Sequence, residues 1–557
     1  RLLKAHENFV RSEAACLLEP ARRLCNSLIE EWRMFCVKEK AIYATLNLFE
    51  GDMNLRASCW YPAAEEDEIR RMLIQRSAGH GNSSAMLVSD RTMPRNKNPP
   101  TYIRRNDFTA PFQTLVDTYG LPSYQEANAA LFTVVTFPFL FGVMFGDVGH
   151  GFMVLLVGIY AIWKADELKF SLPTLYFARY MLFMMGLFAV YVGLLYNDIF
   201  SLGVNLFASR WEALPVPEST KPGDQVQSYK ALFDSSNEGG MGPYPFGVDP
   251  AWHGAQNELV FMNSLKMKLA VILGVVHMIL GLLLRFSNAI YNSNFVDFFC
   301  ECVPMMVFML CFFGFMDVMI LYKWVTPMSD PPSIINSLIS MAMWTPDPNP
   351  MLGESLPRWL MVSTMLTIPV MLIPKPMFKM WQHQAAQQAR RPARGPGGPG
   401  AAGHSIGRSM ALGDEESLQC PLDEEEEEEP FDMMEVVIHQ VIETIEYVLG
   451  TVSHTASYLR LWALSLAHQQ LSVVFFNMTI IIGMSMPFPA NVIGIYITFI
   501  IWFFVTVGVL LGMDTMECFL HCMRLHWVEF QSKFYKGEGY QFEPFSHKDV
   551  LAKSEEA

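Results

Sequence analysis

The feature that most constrains this chain is a succession of apolar runs that starts near Ala130 and continues to the C-terminal tail. About 20 apolar residues at helical rise span roughly 30 Å of hydrocarbon. The runs predict crossings at 128–146, 149–168, 178–198, 265–285, 298–321, 357–374, 440–482 and 489–525, eight in all. Composition agrees, because 17% of the residues are charged and 51% hydrophobic, against about 25% charged in an ordinary soluble domain. The stretch Lys375 to Arg394 holds Lys375, Lys379, Arg390, Arg391 and Arg394 without one acid. The positive-inside rule puts such a connection in the cytosol. With an even number of spans, both ends are then cytosolic, and the loops at about 200–261 and 322–357 face the lumen or exterior.

The expected fold is mostly α: an eight-span helical membrane domain with two long tilted C-terminal helices, preceded by a small cytosolic α/β lobe and a coiled-coil arm. Residues 1–125 form the soluble part. In its first 38 residues Leu17, Leu24, Leu28 and Trp32 recur at helical spacing, as in one arm of a coiled coil. Beyond it the runs AIYATLNLF and ASCWYP read as strands, and EEDEIRRMLIQR as a helix, over 41–106. The chain begins with Arg and not Met, so a missing upstream portion is expected. Residues 126–384 carry the first six spans. Residues 385–433 combine a Pro/Gly/Arg-rich run with seven consecutive acids from Asp423 to Glu429, a composition that stays disordered. Residues 434–535 carry the last two spans, and 536–557 a cytosolic tail.

That acidic run supplies much of the net charge of −15, so the global charge says little about partners. No basic aromatic patch suggests nucleic acid. The ten cysteines include no CxxC pair, and neither a metal nor a cofactor is expected. No glycine-rich loop closing in Gly-Lys-Ser or Gly-Lys-Thr is present, so any ATP hydrolysis belongs to another chain.

Chemistry concentrates in the last two spans. On the first, His439, Glu443, Glu446, Ser453, Ser457 and Arg460 recur in steps of three and four, with Gly450 filling one step and Leu464 and His468 continuing the row. At 1.5 Å per residue this face runs about 44 Å, longer than the membrane core, so the helix is expected to tilt. On the second, Asp514, Glu517, His521 and Arg524 form a matching stripe. The helices run antiparallel. Eight residues on from Arg460 and ten back from Arg524 both lead away from the cytosol by about 12–15 Å, so His468 and Asp514 should share a depth on the luminal side, with Glu446 on the cytosolic side. A central membrane arginine costs roughly 2.5–3.5 kcal/mol even on lenient insertion scales, and so Arg460 is functional by default. For His468 and His521 a structural hydrogen-bonded role stands beside a proton-carrying one, and Arg524 lies near enough to the cytosolic end to reach the headgroups.

The segment SHTASYLRLWALSLAH, from Ser453 to His468, resembles the signature helix of subunit a of the vacuolar-type ATPases. The likeness extends to PPTYIRRNDFTAPFQTLVDTYG, ALFTVVTFPFLFGVMFGDVGHG, YNDIFS, VILGVVHM and MRLHWVEFQSKFYKGEGYQFEPF, and covers nearly all of the chain from about Lys40. It implies a stator subunit of a rotary proton pump in a vacuole, a lysosome-like or other acidic organelle, or the plasma membrane. The implied partners are a proteolipid c-ring, other membrane-sector subunits, membrane lipids, and peripheral stalks with the ATP-hydrolysing sector held through the N-terminal domain. It also implies that Arg460 is the essential arginine facing a ring carboxylate and Arg524 its companion. Glu446, His468, Asp514 and His521 are implied to line two half-channels, and Glu517, Ser457 and Glu443, on the same stripes, are expected on the proton path with them. Asp514 stands where the family commonly has Glu, Glu443 where His is frequent, and Gln469 where Ala is usual. Asp147 and His150 match the family pattern at an expected helix-hairpin turn.

An arginine about 4 Å from a buried carboxylate contributes about 4 kcal/mol at an effective dielectric near 20, or roughly 3 pKa units. That offsets the desolvation which otherwise keeps a ring carboxylate protonated in lipid. Arginine never releases its own proton, whereas a buried lysine can. Two other classes compete with this reading. A proton-coupled secondary transporter would show inverted repeats with paired broken helices, and the first six spans hold no counterpart of 440–525. A non-conducting assembly scaffold would leave the polar stripes without a purpose.

Overall fold

The computed structural model describes residues 2–18, 28–51, 55–78, 86–88, 98–213, 229–231, 243–253, 257–328, 330–346, 349–390, 433–485, 487 and 490–556. They fall into two compact units, Arg1–Arg104 with Glu538–Ala557, and Arg105–Gly537.

The first unit holds helices α1 (Leu2–Leu18), α2 (Leu28–Leu46) and α3 (Glu66–Ala78), together with a C-terminal helix at His547–Glu556 that packs along α2. Glu66, Asp67 and Glu68 sit in the first turn of α3 and Arg76 in its last, the charge order that a helix dipole favours. The strand expected at 41–49 is instead the end of α2, up to Leu46, followed by a turn. A short run that alternates polar and apolar residues also suits a helix face, and here the Glu/Lys-rich helix upstream simply continues through it. ASCWYP is irregular apart from an isolated bridge between Glu50 and Arg56 nearby. The lobe expected to be α/β is thus helical among its described residues. Most of the linker lies outside the described residues, although a helix, Pro374–Arg390, runs into its start.

The second unit is built on apolar helices. In chain order they are α4 (Ala110–Tyr119), α5 (Ala130–Phe145), α6 (Val148–Trp163), α7 (Ala165–Ser171), α8 (Pro173–Tyr196), α9 (Glu258–Tyr291), α10 (Phe295–Val325), α11 (Ile334–Met343), α12 (Ser355–Ala385), α13 (Met433–Met484) and α14 (Val492–Lys533). Six of them, α8, α9, α10, α12, α13 and α14, are long and apolar enough to cross a membrane; α6 and α7 make a seventh if a pair bent by 92° counts as one span. The eight spans read from the sequence are therefore reduced. At 16 residues, α5 covers only about 24 Å, because Gly146 closes it and Asp147 starts the next helix.

Close helix packing sets the frame. A Cβ on Gly186 would lie 2.5 Å from the Leu155 nitrogen, and one on Gly193 2.4 Å from the Val148 nitrogen. Only glycine lets α6 and α8 approach so nearly, the usual way membrane helices gain contact where no hydrophobic effect drives them together. A core of Phe, Met and Leu side chains, including Phe141, Met144, Met185, Met278 and Leu461, joins α5, α6, α8, α9, α10 and α13. In the connection between α8 and α9, Trp211–Ala213 pairs antiparallel with Tyr229–Ala231, and Trp252 stacks on Phe261 at 4.1 Å.

Candidate functional site

The polar row on α13 meets different neighbours along its length. His439, Glu446 and Ser453 are exposed, Glu443, Ser457 and Arg460 are half-buried, and His468 is buried. The change comes from packing, since the half of α13 after Tyr458 lies against α5, α9 and the Thr506–Asp514 stretch of α14. A different face of α13, with Gln440, Thr444, Tyr447, Thr451 and Thr455, is turned inward. Thr444, Thr451 and Thr455 satisfy their hydroxyls on carbonyls of their own helix, while Gln440 donates to the Met371 carbonyl and Tyr447 to that of Met305.

Arg460 lies just past a local break. Tyr458 ends the first regular stretch of α13, fully buried, and its ring fills the space left by Gly274 on α9. Its hydroxyl is 2.7 Å from His277 Nδ1. Arg460 Nη1 is buried and has no hydrogen-bond partner among the described residues. Glu529 on α14 interacts with Ser457 and lies within electrostatic reach of both Arg460 and Arg524, and His521 senses the same two arginines. Arg524 itself is exposed.

Apart from Asp514, the second stripe occupies an α-helical stretch, Thr515–Arg524, between two π-helical stretches of α14, Thr506–Asp514 and Leu525–Phe530. Such wider turns recur at functional sites. Glu517 is exposed and His521 half-buried, 3.8 Å apart. Asp514, at the end of the first π-helical stretch, turns inward, and its Oδ2 is 2.5 Å from His468 Nδ1. The antiparallel rise argument placed these two side chains at one depth, and there they meet.

Next to them lies a buried polar cluster that the stripes did not include. Asp147 caps α6, accepting from the amides of Gly149 at 2.7 Å and His150 at 3.3 Å, and its Oδ2 contacts His150 Nδ1 at 2.8 Å. His150 meets the His468 ring edge to face at 5.2 Å. Lys266 on α9 donates to Gln469 at 2.8 Å and lies over the Tyr196 ring. Asp198 is buried, with Oδ1 unpartnered among the described residues. A charged residue inside an apolar run is a sequence signal for function, and Lys266 and Asp317 both carried it. Glu529 carried a weaker one, lying just beyond the stripe.

Glu443 sits in an ionic network instead. It pairs with Arg285 at 3.0 Å and Lys375 at 3.6 Å, and Lys375 also holds Glu301 at 2.6 Å and Asp297 at 3.6 Å. Arg285 contacts Glu301 as well. Four helices, α9, α10, α12 and α13, are tied together there.

A family model described as the V-type ATPase 116 kDa subunit family matches residues 4–547. Among curated proteins, the chain is 39% identical over 548 residues to a chicken V-type proton ATPase 116 kDa subunit a 1, covering 94% of this chain and 65% of that one. It is 40% identical over 547 residues to the subunit a1 of Xenopus laevis, covering 93% and 64%. It is also 37% identical over 540 residues to the V-type proton ATPase subunit a of Schizosaccharomyces pombe, covering 93% and 61%. The chain thus spans a little under two thirds of the length of these relatives.

Proposed function

The chain belongs to the V-type ATPase 116 kDa subunit family, and from that premise we propose that it is the membrane stator of a rotary proton pump, passing protons beside a proteolipid ring while another sector hydrolyses ATP. The observation that carries this reading is Arg460. Its guanidinium sits half-buried on a membrane helix with Nη1 unpartnered among the described residues. A buried charge left so costs several kcal/mol unless a partner supplies an anion, and a ring carboxylate is such a partner. Arg524 and Glu529 set the charge on the cytosolic flank of Arg460, Glu529 offsetting two arginines that face one small space.

Protons then move from the cytosol past Glu446 to a ring carboxylate, travel round with the ring, and leave past His468 and Asp514 when Arg460 forces release. His521 and Glu517 line the seam between the two helices and Ser457 steadies Glu529. Glu443, held by Arg285 and Lys375, anchors α13 and does not carry protons. The eight-crossing topology counts α5 and the bent α6–α7 pair as crossings, with α13 and α14 tilted because each exceeds the membrane thickness. Both termini and the linker are then cytosolic, and the N-terminal unit faces the stalks in an acidic organelle or at the plasma membrane. The test is purification from native membranes. The chain should carry with it a ring of small proteolipids bearing a mid-membrane Glu or Asp, and reconstituted vesicles should acidify on ATP. Isolation without such a ring would overturn the reading.

A further inference from the structure

Helix α11 (Ile334–Met343) lies in the connection between the membrane-length helices α10 and α12, yet it does not hang clear of them. Its inward side chain Met341 is buried in a cluster with Phe315 and Met319 of α10 and Met361 of α12, and Ile334 and Leu338 pack against that cluster. At helical rise, Met319 stands about 9 Å short of the α10 end at Val325, and Met361 about 9 Å inside the α12 start at Ser355. Lys323, near that end of α10, donates to the Pro332 carbonyl at 3.0 Å and ties the connection back against the helix it left. The segment has folded back beside its own two spans. Its other face is bare: Ile335, Ile339 and Met343 recur in steps of four and are 64%, 55% and 71% exposed, with Ala342 and Asn336 exposed beside them. From Pro331 to Pro346 the chain carries no charged residue, although a helix face turned to water is ordinarily polar and charged.

We propose that α11 is an interfacial anchor, seated in the bilayer leaflet on its own side of the membrane with Ile335, Ile339 and Met343 against lipid chains. Its ten residues cover about 15 Å, half of what a crossing needs, so the segment enters one leaflet and returns. Depth selects lipid over water as the occupant. The cluster under Met341 holds the helix beside α10 and α12 at a level inside their ends, and a face pointing away from two spans at that level meets the bilayer. Three exposed tryptophans mark the same level: Trp324 at the end of α10, Trp344 just past α11 and Trp359 in the first turns of α12. Tryptophan collects at membrane–water boundaries, where its ring is apolar and its N–H reaches the headgroups. The stretch 322–357, expected from the sequence as a loop in the lumen or exterior, is thereby taken out of the water at its middle. Hydropathy missed it because ten residues are too few to register as a span, and their neighbours are proline-rich and polar.

The anchor needs only that α10 and α12 cross the membrane, and stands apart from the proton path. The experiment uses the protein purified from native membranes, with the subunits it brings, in phosphatidylcholine nanodiscs that leave both faces open to solution. One sample is photolabelled with an apolar diazirine dissolved in the bilayer, another with a charged diazirine confined to water, and mass spectrometry locates the modified residues. Ile335, Ile339 and Met343 should take the bilayer reagent and not the aqueous one, and the inward Met341 should take neither. Ile335→Asp combined with Ile339→Asp should reverse the pattern and bring Met343 to the aqueous reagent. The unsubstituted protein gives the answer even where that variant fails to assemble. Aqueous labelling of Ile339 and Met343 in the unsubstituted protein overturns the proposal. Labelling by neither reagent does so as well, since a protein subunit then covers the face. Bilayer labelling of Met343 that persists in the double variant overturns the apolar face as what holds α11 in place.

Discussion

His468 on α13 and Asp514 on α14 share a hydrogen bond of 2.5 Å, between a ring nitrogen buried in the helix bundle and a carboxylate delivered by a π-helical stretch. Asp514→Asn keeps an oxygen that can accept from His468 Nδ1–H but loses the charge. Charge-assisted bonds exceed neutral ones by about 1 kcal/mol, so assembly should survive. Proton uptake by vesicles holding the assembled variant should fall by about tenfold or more, in line with the loss of a positioned acid–base group. Unchanged acidification would place the exit elsewhere.

Arg460→Lys separates folding from mechanism. Lysine retains an aliphatic stem and one charge, so the stalks and the catalytic sector should stay attached. It has a single ammonium in place of the planar fork and can lose its proton on burial. Uptake should therefore vanish in complexes that are intact by subunit composition. Wild-type pumping by such complexes would make Arg460 structural.

Gly274→Ala tests the break at Tyr458. The added methyl would stand 2.5 Å from Tyr458 Cγ and 2.7 Å from its Cβ, and since the backbone fixes the Cβ no side-chain torsion relieves the clash. Overpacking of this kind costs about 1–3 kcal/mol. The variant should unfold at lower temperature than Gly281→Ala, whose nearest contact is 3.3 Å, and should lose proton uptake with it. Equal stability of the two would show that α9 and α13 have room to separate.

His253, in the connection before α9, predicts a pH dependence. Burial pulls its imidazolium down, but the Glu258 hydrogen bond and charge, with Asp198 adding to them, hold it above the ordinary value. A group raised in the folded state contributes stability that is complete below the unfolded value and is lost as pH rises through the folded one. Amide exchange in 243–253 and the first turn of α9, corrected for intrinsic rates, should be slower near pH 6 than near pH 8.5, on either side of the ordinary value of about 6.5. His253→Gln should remove the difference. Equal protection of the parent at both values would mean that the pair does not hold this segment.

What the residues determined alone was local. Apolar runs set six of the membrane-length helices, because hydropathy over about 20 residues is a property of the segment itself. The shared depth of His468 and Asp514 was legible for a related reason: once two antiparallel helices are assumed, depth is arithmetic on a constant rise, although their contact came only from the packing. Where a short pattern allowed two periods, at 41–49, the reading failed and the helix won. Tertiary structure alone decided which polar groups are buried and with whom. Glu443 joined Arg285 and Lys375, Glu529 came under Arg460 and Arg524, and His150 arrived beside His468. Periodicity orients a side chain about its own helix axis, but burial and pairing depend on where distant helices lie, and that is fixed by close packing of glycines and aromatic rings that no local pattern encodes.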